Sequence, residues 1–111
     1  MLNPSPATLD PAPIFAALGD RTRLSLLAKL SDGQARSIAA LSTDTALTRQ
    51  AITKHLHVLQ DAGLVAASRV GRESRFAARR ETLDEARAYL DRVSRQWDEA
   101  LGRLKAFVEA G

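Results

Sequence analysis

Apolar positions repeat at three- and four-residue steps along most of the chain, and the places where that rhythm breaks mark the ends of helices. Ile14, Phe15 and Leu18 define one face of a short first helix stopped by Gly19. Asp20 caps a second, Arg21 to about Leu30, whose Leu24, Leu26, Leu27, Ala28 and Leu30 spread around much of its circumference. That spread predicts a central helix covered on several sides. Asp32-Gly33 ends it, and Ser37 caps a short third helix carrying Ile38 and Leu41. After a polar turn at Thr43 to Ala46, Thr48 caps a fourth helix from Arg49 to about Ala62, closed by Gly63. From Leu64 the spacing changes. Val65, Val70 and Phe76 flank Gly71-Arg72-Glu73, which predicts a hairpin with glycine at its turn and no other sheet. The remainder, about Thr82 to Ala110, reads as one long helix interrupted by neither Pro nor any Gly but Gly102.

On that last helix Leu83, Ala86, Leu90, Val93, Trp97, Ala100, Leu104 and Phe107 alternate steps of three and four, the spacing of a coiled-coil seam. About 28 residues of helix span about 42 Å, against a diameter of roughly 34 Å for a globule of this size. Part of the seam should therefore meet a second chain, with Tyr89, Leu101 and Val108 widening it at the edges.

The fourth helix carries the candidate chemistry. Ile52, Leu56 and Leu59 fall within about 60° of one another and define a buried stripe. The opposite face presents Gln50, Thr53, Lys54, His57 and Asp61. Gln pairs bidentately with adenine, Lys donates to guanine acceptors, and Thr offers a hydroxyl and a methyl, all near the end of a helix that meets base edges in a major groove. Arg49 lies beside the helix N-terminus, within reach of a phosphate or a guanine. On periodicity alone an ordinary solvated face explains these residues equally well. A short helix before this one and a hairpin with Arg69, Arg72 and Arg75 after it favour a winged helix-turn-helix, with Arg72 at the wing tip. His55 and His57 point about 200° apart and cannot share a metal ion; His55, at the edge of the buried stripe, reads as a packed or hydrogen-bonded residue.

Composition narrows the function further. The 111 residues carry 16 Lys and Arg against 13 Asp and Glu, a net charge of +3, and the charge is unevenly placed. Residues 1–48 are neutral, residues 49–80 hold seven bases and two acids, and residues 81–111 hold five bases and seven acids. A basic middle between neutral and acidic flanks points to a polyanion-binding surface. Hydrophobic residues make up 45%, but 20 of them are Ala, a thin core for a lone chain. The absence of Cys excludes disulfides, thiolate metal sites and a cysteine nucleophile. No apolar run approaches a membrane span and no signal peptide is evident, so a soluble cytoplasmic protein is expected. No phosphate-cradling glycine loop or nucleophile motif suggests an enzyme.

Three stretches together resemble a known family: ALGDRTRLSLLAKLSDG (Ala17 to Gly33), LTRQAITKHLHVLQDAGLV (Leu47 to Val65) and VGRESRFAARR (Val70 to Arg80) are similar to the ArsR family of bacterial winged-helix transcriptional repressors. The resemblance covers roughly residues 14–110. It implies a mainly α fold with a small β-hairpin wing, and a homodimer through the first and last helices on a palindromic operator in double-stranded DNA. By the family pattern Arg49, Gln50, Thr53 and Lys54 contact DNA; His57, Arg69, Arg72 and Arg75 join them on position and charge. The dimer interface implied comprises Ile14 and Phe15 with Leu83, Leu90, Val93, Trp97, Leu104 and Phe107. Metal-sensing members carry two Cys one residue apart in the third helix, where this chain has Ser37 and Ala39, and residues 82–110 contain no His. No metal or other cofactor is expected. A small apolar effector between the first and last helices, around Phe15 and Trp97, and control by concentration alone stay as alternatives. The division expected is an N-terminal arm over 1–12, a DNA-binding core over 13–81 and a dimerisation helix over 82–111. A dimeric adaptor that uses the same fold to bind protein partners is the alternative from another class.

Overall fold

Three of the helices begin where a short polar side chain offers an acceptor to an otherwise unpaired amide. Asp20 accepts from the backbone N–H of Arg23, Ser37 from that of Ala40, and Thr48 from that of Ala51. In the computed structural model, which describes residues 10–111, the resulting order is α1 (Ala12–Leu18), α2 (Arg21–Lys29), β1 (Arg36–Ser37), α3 (Ile38–Leu41), α4 (Arg49–Asp61), β2 (Val65–Val70), β3 (Glu73–Ala78) and α5 (Arg80–Ala110). α4 stops in a left-handed glycine cap: Gly63, at φ +77°, donates to Gln60 O at 2.9 Å, and the Leu64 amide reaches back to Leu59 O at 2.9 Å. A second left-handed glycine, Gly71 at φ +64°, turns the β2–β3 hairpin.

The sheet departs from the sequence expectation of a lone hairpin. Its order is β1-β3-β2, all antiparallel, with Arg36 opposite Phe76 and Ser37 opposite Arg75. Two residues carry no alternation to detect. β1 forms because the loop after α2 runs alongside β3 and pairs part of an edge that would otherwise be open.

The core joins Leu26, Leu30, Leu41, Ile52, Leu56, Leu59, Leu64, Val65 and Phe76, all buried. α2 contributes Leu26 and Leu30 to it, but Leu24 is half exposed and Ala28 lies on the surface, so the helix is covered on one side rather than on several. α1 and α4 pack on that side, and Leu24 points away from both the core and its neighbours.

Residues 1–9 of the expected arm lie outside the described residues. Asp10 precedes α1, and its carboxylate accepts from the Ala12 amide at 2.9 Å. α5 begins at Arg80, before the expected boundary at 82. Its first turns are fixed: the buried Thr82 hydroxyl donates to Gly63 O, the Arg79 amide to Leu64 O at 2.9 Å, and Ala86 is buried. Beyond these turns the rod leaves the body. The radius of gyration is 18.8 Å, against about 13 Å for a compact chain of this length.

Candidate nucleic-acid interface

α4 lies with Ile52, Leu56 and Leu59 in the core, and this fixes the azimuth of every other side chain on it. Arg49, Gln50, Lys54 and His57 are exposed. Thr53 is half buried, and its hydroxyl donates to Arg49 O at 2.7 Å. That bond occupies the hydroxyl hydrogen, leaving the methyl and the oxygen lone pairs facing out. The first turn of α4 holds no acidic residue, so nothing offsets the positive end of the helix dipole.

The hairpin places its three arginines apart. Directly opposed residues share a face, and the register sets Arg69 against Ser74 and Ala67 against Phe76, so Arg69 lies on the face that carries the core residues Phe76 and Val65. Arg75, opposite Ser68, lies on the other face, and its guanidinium pairs with Glu73 at 3.1 Å. Arg72 follows the turn glycine and is exposed. The wing therefore offers Arg72 at its tip and Arg69 on one side, while Arg75 is neutralised locally.

The same sorting separates the basic residues of the whole core. Arg23 donates to Ala17 O at 2.7 Å and to Ala16 O at 3.4 Å, at the C-terminus of α1. Lys29 donates to Leu41 O and Thr43 O, each at 3.0 Å, where α3 ends, and Arg36 donates to Lys29 O at 3.0 Å while pairing with Asp32. Each is a cation at the negative end of a helix. Farther along, Arg79 pairs with Glu81 at 3.0 Å and Arg80 with Asp84 at 3.3 Å. Among the described residues of the basic segment, Arg49, Lys54, Arg69 and Arg72 alone form no ion pair. These four are among the residues expected to contact DNA.

Two carboxylates titrate low. Asp20 is held below the usual range chiefly by the Arg23 amide it accepts from, with the Arg23 and His55 charges adding to the effect. Glu81 is lowered by its own backbone amide and then by the Arg79 side chain. His55, half buried, brings Nδ1 to 3.4 Å from an Arg23 Nη1 and 3.8 Å from Asp20. It is thus a hydrogen-bonded residue at the rim of the core. Neither Arg23 nor the Lys29 and Arg36 caps stand out in the sequence, because the carbonyls they reach lie six to fourteen residues away.

The residues expected at a dimer interface divide along α5. Ile14 is buried in its own core and Leu83 packs against it, half covered. Phe15 is also half buried and packs against Tyr89, the rings tilted by 49° with centroids 5.6 Å apart. Val93 is partly covered, whereas Leu90, Trp97, Leu104 and Phe107 are exposed, Phe107 to 78%, together with Leu101 and Val108.

A helix-turn-helix domain family matches residues 18–66. The Bacillus subtilis (strain 168) protein called uncharacterized HTH-type transcriptional regulator YuzN is 46% identical over a stretch covering 53% of this chain and 71% of that one. An ArsR-like transcriptional regulator from Rhodococcus sp. RHA1 superposes with a TM-score of 0.77 at 40% identity, covering 86% of this chain and 90% of its own. This chain belongs to the ArsR family. Another solved structure similar to this ArsR-family regulator is the homodimeric winged helix-turn-helix DNA-binding domain of Mb0332 from Mycobacterium bovis, with a TM-score of 0.61 at 27% identity over 79% of this chain and 81% of that one.

Within this ArsR-family fold, Ser37 is engaged as the cap of α3, its Oγ accepting from the Ala40 amide at 3.1 Å. Among the described residues no three His, Asp or Glu side chains gather at metal-binding range, and no helix is long and apolar enough to cross a membrane.

Proposed function

We propose that the chain is a homodimeric, sequence-specific DNA-binding repressor that occupies a palindromic operator. The observation that carries this is the unpaired set Arg49, Lys54, Arg69 and Arg72, divided between the exposed N-terminal half of α4 and the hairpin beside it. α4 enters a major groove, where Gln50 and Lys54 read base edges and the Thr53 methyl offers an apolar contact to thymine. Arg49 and His57 meet phosphates at the groove edge. Arg72 reaches the neighbouring backbone or minor groove from the wing tip, with Arg69 beside it; Arg75 contributes through its position rather than a free charge.

The second copy packs along α5. Leu90, Trp97, Leu101, Leu104, Phe107 and Val108 form a continuous exposed apolar stripe on a rod that outreaches its own domain, and the homodimeric state of the Mycobacterium bovis domain supports the same assembly here. Phe15 and Tyr89 border that stripe, where α1 of one copy meets α5 of the other. A dyad through the rods sets two α4 helices on one face of the duplex. Repression follows by occupying a promoter, in the cytoplasm where the DNA lies.

Salt titration of binding tests this. With about six to eight phosphates engaged per dimer, the slope of log K against log salt is about −5 to −7. Binding insensitive to salt contradicts the proposal.

A further inference from the structure

Arg23 does more than cap α1: from α2 it reaches both α1 and α4. Its Nε and Nη2 donate to the last carbonyls of α1, Ala17 O and Ala16 O, and its Nη1 faces His55 Nδ1 on α4. Its own backbone amide is held by the Asp20 carboxylate, which also lies 3.8 Å from the same His55 nitrogen. A guanidinium only donates, so His55 accepts from it through Nδ1 when the ring is neutral. Beside this junction α1 and α4 touch without closing fully on each other. A groove of about 350 Å³ lies between them, lined by Ala16, Val58 and Ala62 among others, with Arg23 in its wall. Arg23 is a polar strut across a gap that apolar packing leaves open.

The buried stripe sets the mean azimuth of α4; His55, next to Lys54 and about 140° around the helix from Gln50, is a second contact that bears on the small rotations the stripe leaves free. A planar fork fixed at two α1 carbonyls transmits any shift of α1 to that point. We propose that Arg23 is a positioning residue that ties α1, which borders the second copy, to the rotation of α4, so that base discrimination depends on how the dimer seats α1. This rests on the function proposed above.

The test compares affinity for a duplex selected from random DNA with affinity for a scrambled duplex of equal length, together with dimer mass and melting temperature. Arg23→Lys keeps the charge and loses the fork; His55→Leu loses the acceptor; His55→Gln keeps one. Arg23→Lys and His55→Leu are expected to lower the selected-to-scrambled ratio by about tenfold or more, with dimer mass unchanged. His55→Gln is expected to stay within about threefold of the parent, and the double variant Arg23→Lys/His55→Leu to lose no more than the worse single. Arg23→Lys or His55→Leu variants that keep the parental ratio, or that weaken both duplexes by one factor in step with a lower melting temperature, overturn the inference. A parent chain with no preference for the selected duplex overturns the proposed function and this inference together.

Discussion

α4 and α5 carry apolar stripes of the same kind, yet one is sealed and the other open. Ile52, Leu56 and Leu59 on α4 are buried by the protomer itself, whereas Leu90, Trp97, Leu104 and Phe107 on α5 face outward. Periodicity reports that a helix has a side to cover; it does not report what covers it. On α4 the covering elements are α1, α2, α3 and the sheet, so the stripe fixes the direction in which Gln50 and Lys54 point. On α5 the first turns are covered in the same way through Thr82 and Ala86, and the rest extends beyond the other described elements.

That contrast can be broken from either side. Leu56→Ala removes a fully buried side chain and is expected to destabilise the protomer by about 2–5 kcal/mol in urea unfolding. Leu104→Glu combined with Phe107→Glu leaves that core untouched. Sedimentation should then show a monomer, with operator affinity reduced about a hundredfold or more because two half-sites are no longer bound together. A double variant that remains a dimer contradicts the assignment of this end of the stripe to the second copy.

Smaller effects sharpen the division between engaged and free cations. Lys54→Ala is expected to cost about 1–3 kcal/mol at particular base positions and to relax preference there. Arg72→Ala should weaken all duplexes alike and flatten the salt slope by about 2, one for each protomer. Arg75→Ala, whose charge Glu73 already neutralises, should do less than either. The smallest effect concerns Asp20. Its carboxyl titrates below its unfolded value, so the stability it lends is present at neutral pH and is lost as the pH falls through the depressed folded value. Asp20→Asn retains a capping oxygen but should remove that acid-side contribution, seen as a shallower loss of melting temperature below about pH 4.

The legible features of the sequence were those decided locally. Thr48 and Gly63 bound α4 because a cap and a left-handed stop act within a few residues, and the buried stripe followed from spacing alone. β1 was not legible, because Arg36 and Ser37 become a strand only through the position of β3. Leu24 and Ile14 show the same limit in opposite directions: one apolar residue left open, another buried in its own core though expected at an interface. Of the candidate site, residue types and face were readable, but the pairing of Arg75 with Glu73 and the opposite faces of Arg69 and Arg75 depend on hairpin register. The Arg23 junction depends on α1 ending beside α4, which no local pattern encodes.

Selection of bound duplexes from a random library tests most directly whether two α4 helices, joined through α5, face one DNA molecule. An enriched inverted repeat whose half-sites lie about 34–36 Å apart, or a multiple of one turn, is the predicted result. Enrichment of a lone half-site, or of no sequence, would contradict it.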